Sequence, residues 1–170
     1  MPKPGTPDDP TSEGYWRPLR LLQEAMLQDI TRVYTDQRIH GLKPSYVLEL
    51  LRLNALGPMT ITELAESVGR THSALSQKVT AMRRAGWVET VQGEDARTKK
   101  VVLTEKSKAI IGRLAAEWRA TEAACAEIDA ELAFPLHQYV AELEKALARR
   151  GFHDRIMERL AADPDWGGAS

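Results

Sequence analysis

The spacing of apolar positions changes several times along the chain, and each change marks an element. From Pro18 onward, Leu22, Met26, Ile30 and Val33 follow a helical spacing. Residues 38–43, with Gly41 among them, interrupt it. Pro44 is placed to be the first helical residue of a segment over 45–56, which Gly57-Pro58 ends. Thr60 with Glu63 forms a capping-box signature, and Ile61, Leu64, Ala65 and Val68 then give a short helix one apolar stripe. Gly69 breaks that helix. Thr71 can cap a second one, on which Leu75, Val79 and Met82 share a side until Ala85-Gly86 stops it. Past Gly86 the period falls to two. Residues 87–91 and 101–103 are short runs rich in β-branched types, which predicts two strands, with a polar tip over 93–98 between them and Lys99-Lys100 after it.

Residues 105–132 then read as one long helix, with Ile111, Trp118, Cys125 and Leu132 at heptad spacing and Leu114, Thr121 and Ile128 between them. Phe134-Pro135 breaks it. Leu136, Tyr139, Val140, Leu143 and Leu147 give another amphipathic helix up to Gly151, and Ile156, Met157 and Leu160 a final short one. There is no internal repeat.

Helix, turn, helix and a hairpin with a basic tip make a winged helix. The fold expected is mainly α: a winged helix-turn-helix core with a two-stranded β wing, flanked by N- and C-terminal helices. Those flanking helices carry more apolar surface than a small domain buries, which predicts a dimerisation layer built from the first and last helices of two subunits. The corresponding segments are a disordered leader over 1–14, N-terminal helices over 15–56, the winged helix over 57–104, C-terminal helices over 105–162 and a tail over 163–170.

The second helix of the core bears the candidate chemistry. About half a turn from its apolar side lie Ser73, Ser76, Gln77, Thr80 and Arg84, all hydrogen-bonding types. From Arg70 to Val88 the bases are Arg70, Lys78, Arg83 and Arg84, and no acid occurs. An apolar back with a polar, basic, acid-free front suits a helix lying in a DNA major groove, and it outweighs the alternative of a merely solvated face. Ser73, Ser76, Gln77 and Thr80 are the base-edge candidates, with Arg84 assigned to phosphate. Arg70, Thr71 and His72 stand at the entry to that helix, His72 reading equally as a phosphate contact or as a surface residue.

These features resemble the DNA-binding core of the MarR family of transcriptional regulators. The resemblance rests on the Leu64-Ala65 helix, the helix from Thr71 to Arg84, Gly86-Trp87-Val88, Asp95-x-Arg97 in the wing, and Leu103-Thr104 opening the next helix. It extends from Leu19 to Leu160 but is specific only in the centre. It implies that Arg97 enters a flanking minor groove with Asp95 holding its guanidinium, and that Lys99 follows on the wing. Ser107 stands where the family often has glycine. The family also implies a homodimer on a pseudo-palindromic operator of double-stranded DNA. It further implies repression relieved by a small-molecule effector wedged between the dimer layer and a winged domain.

Bulk properties modify this picture little. A chain of 170 residues, 43% hydrophobic and 28% charged, is ordinary for a single globular protein. The net charge of −1 does not itself suggest nucleic acid, so the local basic cluster decides. The lone Cys125 excludes an intrachain disulfide and fits a reducing cytoplasm. Its heptad position makes it a small buried apolar group. A redox-responsive regulator acting through Cys125 is the minor alternative, since the redox-sensing relatives carry their cysteine near the N-terminus. Trp16, Trp118, Tyr34 and Tyr46 read as core aromatics in preference to the lining of a ligand pocket. His40, His72, His137 and His153 are scattered, and no nucleophile elbow, phosphate loop or paired-cysteine motif occurs, so neither enzyme nor cofactor is expected. The acids are assigned to solvated helix faces. No apolar run approaches the ~18 residues of a membrane span, and residues 1–14 lack a signal-peptide core, so a cytoplasmic protein is expected. The remaining rival is a winged-helix adaptor that contacts protein without specific DNA binding.

Overall fold

The computed structural model describes residues 14–93 and 98–166. Residues 1–13 of the leader assigned to 1–14, the wing residues 94–97, and residues 167–170 of the tail assigned to 163–170 lie outside the described residues. The elements run α1 (Arg17–Asp36), a 3-10 turn (Pro44–Tyr46), α2 (Val47–Leu56), α3 (Ile61–Ser67) and α4 (His72–Arg84). They continue with β1 (Val88–Gln92), β2 (Lys99–Leu103), α5 (Glu105–Glu131), α6 (Leu136–Arg149) and α7 (Phe152–Ala161). The molecule is mainly helical with a two-stranded antiparallel sheet. It forms two compact units, one ending at Ala116 and one beginning at Glu117.

In the first unit, local sequence sets the ends of each helix. Thr60 Oγ1 accepts the Glu63 N–H at 3.2 Å while the Glu63 carboxylate accepts the Thr60 N–H at 2.7 Å, so the capping box closes as expected. Those bonds from Thr60, the backbone one foremost, hold the Glu63 carboxyl below its usual pKa. Gly69 makes the turn to α4 at φ +64°, a left-handed conformation that favours glycine. Thr71 Oγ1 accepts the Ala74 N–H at 3.3 Å and caps α4. Pro44 opens a tightened turn before the α-helix proper, because the Tyr46 N–H returns to Lys43 and the Val47 N–H to Pro44.

Leu50, Leu64, Leu75, Met82 and Leu114 are completely buried and join α2, α3, α4 and the start of α5 into one core. Tyr34 and Tyr46 lie in it, as expected, whereas Trp16 and Trp118 remain 54% and 36% exposed. Trp87 is buried outside the strand predicted to begin there. Its N–H bonds back to the Met82 carbonyl at 3.0 Å and its indole Nε1 donates to Gly41 O at 2.9 Å. The strands pair Val88 with Leu103 through to Gln92 with Lys99, so β2 takes in Lys99 and Lys100 ahead of the run predicted over 101–103. Met59, beyond the Gly57-Pro58 break, adds a bridge to Val101, with N···O distances of 3.3 and 2.7 Å.

In the second unit, Asp129 Oδ1 accepts the Leu136 N–H at 2.7 Å across the Phe134-Pro135 break, starting α6. The Arg155 guanidinium donates to Ala146 O at 3.0 Å and Arg150 O at 3.1 Å, tying α7 to the end of α6. The apolar stripe of α6, made of Leu136, Tyr139, Val140, Leu143 and Leu147, is exposed, as are Phe152, Ile156 and Met157 of α7. No described helix is long and apolar enough to cross a membrane.

Candidate nucleic-acid interface

At 100° per residue, α4 has two opposed faces. Leu75, Val79 and Met82 are buried. Opposite them Ser73, Gln77 and Arg84 are exposed, with Thr80 and Ser76 half-buried at the edge of that face. Thr80 Oγ1 donates to Ser76 O at 2.9 Å, an internal bond that leaves its oxygen as an acceptor. His72, the first residue of α4, and Thr71, its cap, are exposed, and Arg70 precedes them with its side chain 51% exposed. Lys99 is exposed at the start of β2. Asp95 and Arg97 fall outside the described residues. The fold therefore gathers Ser73, Ser76, Gln77, Thr80 and Arg84 on one helix and puts Lys99 on the wing.

Two exposed residues on the outward side of α4, Ala74 and Ala81, escape a reading that looks for hydrogen-bonding types. A small methyl there is the group that meets a thymine methyl in a major groove.

Lys78 does not join the cations on the outward face of α4. Its position on the flank of the buried face turns its Nζ toward Glu49 Oε1 of α2 and Ser45 O of the preceding 3-10 turn, to which it donates at 2.8 Å each. Glu49 is wholly buried, and Arg70 Nε stands 3.9 Å from the same oxygen. The expectation that acids lie on solvated faces thus fails at Glu49, and the segment from Arg70 to Val88, acid-free in sequence, has a carboxylate behind it in space. The sequence signal was one charged residue on the apolar side of α2, among Val47, Leu50 and Leu53. Breaking such a pair from one side leaves the other charge stranded, so its removal costs more than its formation gained.

Cys125 is half-buried, less enclosed than its heptad position suggested, as nothing within the second unit fully covers that side of α5. Among the described residues no three His, Cys, Asp or Glu side chains gather as a metal site.

Comparison with known proteins follows these elements. A family model described as HVO_A0114 matches residues 45–110, the span from the 3-10 turn into α5. No curated protein matches the chain. Among solved structures, the M. tuberculosis transcriptional regulator MOSR in complex with DNA is 27% identical, covers 81% of this chain and 99% of its own, and superposes with a TM-score of 0.55. The S. aureus MepR–DNA complex is 18% identical over 81% of this chain and 98% of its own, with a TM-score of 0.59. A MarR protein from Peptoclostridium difficile is 16% identical over 85% and 92%, with a TM-score of 0.54. This chain carries the winged helix-turn-helix fold of the MarR-type transcriptional regulators.

Proposed function

We infer that this protein is a homodimeric transcriptional regulator that binds double-stranded DNA, with α4 as the recognition helix in the major groove. The observation carrying this reading is the outward face of α4. Ser73, Gln77 and Arg84 stand exposed opposite the buried Leu75, Val79 and Met82, on a helix held firmly at its capped start. The similarity to MOSR, a transcriptional regulator crystallised with DNA, supports the same assignment.

The mechanism follows from charge and geometry. Arg70, Arg84 and Lys99 meet phosphates and supply affinity that weakens with salt, while Ser73, Ser76, Gln77 and Thr80 read base edges. His72 takes a phosphate near the helix start. Arg97, oriented by Asp95, enters the flanking minor groove. The exposed apolar residues of α1, α6 and α7 support pairing of two subunits, which requires a pseudo-palindromic operator with half-sites about one helical turn apart. As a repressor, the protein releases DNA when a small-molecule effector favours a different spacing of the two recognition helices.

The direct test is the salt dependence of duplex binding by the purified protein. Affinity should fall steeply with added salt, and Arg84→Ala should reduce the log–log slope by about 1. A slope near zero, or no binding in dilute buffer, refutes the reading.

A further inference from the structure

The C-terminal end of α4 is tied to the start of α5. A helix leaves its last carbonyls without intrahelical partners, and water or a glycine cap ordinarily satisfies them. Gly86, at φ +75°, lets the Trp87 N–H return to the Met82 carbonyl and the Gly86 N–H to that of Arg83, each at 3.0 Å. Just past the end of α4, three successive carbonyls, those of Ala85, Gly86 and Trp87, all receive donors from the start of α5. Lys106 Nζ donates to Ala85 O at 3.1 Å, Thr104 Oγ1 to Gly86 O at 2.8 Å, and Ser107 Oγ to Trp87 O. Thr104 Oγ1 in turn accepts the Ser107 N–H at 3.3 Å, so the residue that anchors the carbonyl also caps α5. The Lys106 ammonium lies 3.8 Å over the Trp87 ring. Ser107 is completely buried and Trp87 is 2% exposed, so water cannot replace the bond between them without opening the core.

We propose that Thr104, Lys106 and Ser107 form a clamp that fixes the angle at which α4 presents Gln77 and Arg84, and that they act as positioning residues for sequence recognition. Three donors on three successive carbonyls constrain direction as well as position, because consecutive carbonyls point different ways. Base readout needs side chains held to about 0.5 Å and 10–20°, whereas contact with phosphate tolerates a loose helix. Loosening the clamp therefore costs discrimination between sequences more than it costs attraction to DNA in general. This inference rests on the DNA-binding reading above.

The test uses Ser107→Ala and, because a buried change can disturb folding, the exposed-side Lys106→Met with Lys106→Arg as the conservative control. Affinities for the preferred duplex and for random duplex are measured at one salt concentration, beside amide exchange of Gly86 and Trp87. Ser107→Ala and Lys106→Met should each lower the preferred-to-random ratio by about fivefold, the size of one lost hydrogen bond, with random-duplex affinity changed by less than about twofold. Exchange at Gly86 and Trp87 should quicken, and Lys106→Arg should restore both. Unchanged exchange overturns the clamp whatever the DNA results. Faster exchange with an unchanged ratio overturns its positioning role. If the unsubstituted protein binds no duplex, the DNA reading fails and the positioning role fails with it, while exchange still judges the contacts themselves.

Discussion

The two units of this chain carry similar helical patterns of apolar residues and do different things with them. Among the described residues every buried hydrophobic residue lies from Tyr34 to Leu114, and none from 117 to 166 is buried. Leu50 of α2 is 0% exposed and Leu143 of α6 is 46% exposed, yet each sits on the apolar stripe of its helix. In the first unit several short elements of different direction close around one another. In the second, α6 and α7 offer broad stripes that their own unit does not cover. A periodic stripe thus specifies a face to be covered and leaves open whether the cover comes from the same chain. The dimer proposed above supplies the second case.

The sharpest way to break that contrast is a pair of truncations. Leu50→Ala should destabilise the fold by about 3 kcal/mol at any protein concentration, the cost of a cavity in a closed core. Leu143→Ala should cost less, and its cost measured by urea unfolding should change with protein concentration, as for a residue buried only on association. Equal, concentration-independent losses would remove the distinction between the units.

Next in size is the flank of α4. Lys78→Met should destabilise by about 2 kcal/mol because it strands the buried Glu49 carboxylate, while leaving the salt dependence of DNA binding close to that of the unsubstituted protein. A reduced salt slope would return Lys78 to the DNA-facing set. On the outward side the effects move from stability to binding. Arg97→Ala should weaken operator affinity by more than ~1 kcal/mol without altering the dimer, and unchanged affinity in a titration would remove the wing from the mechanism. Gln77→Ala should shift the preferred sequence more than it changes affinity for random DNA, and equal losses on both would refute base reading.

The smallest effect belongs to the cap of α3. Because Glu63 has a lowered pKa when folded, its contribution is present above the unfolded carboxyl pKa and is lost as pH falls through the folded value. The stability difference between the unsubstituted protein and Glu63→Gln should therefore shrink as pH drops from neutral to about 3. A difference that grew on acidification would contradict the bond geometry.

How much of this was legible in the sequence depended on the reach of each interaction. Thr60 and Glu63 are three residues apart, and Thr71 and Ala74 likewise, so residue type and spacing suffice to predict both caps. The apolar stripes followed from the same short-range geometry. Lys78 and Glu49 lie 29 residues apart, and Lys106 and Ala85 are 21 apart, so only the packing of helices makes them neighbours. Read along the chain, Lys78 is one more cation on a basic helix. The bridge of Met59 to Val101 was hidden for the same reason, and by Gly57-Pro58 just before it, which suggest only a loop. Ser107 and Trp87 are 20 residues apart, so the bond from the Ser107 hydroxyl to the Trp87 carbonyl is likewise set only by packing.

The central claim, that paired copies of this fold read duplex DNA through α4, is tested most directly by selecting binders from a pool of randomised duplexes with the purified protein. The account predicts enrichment of a pseudo-palindrome whose half-sites are centred about one helical turn, ~34 Å, apart. A pool that stays random even at low salt, or that yields a single unpaired half-site, would contradict it.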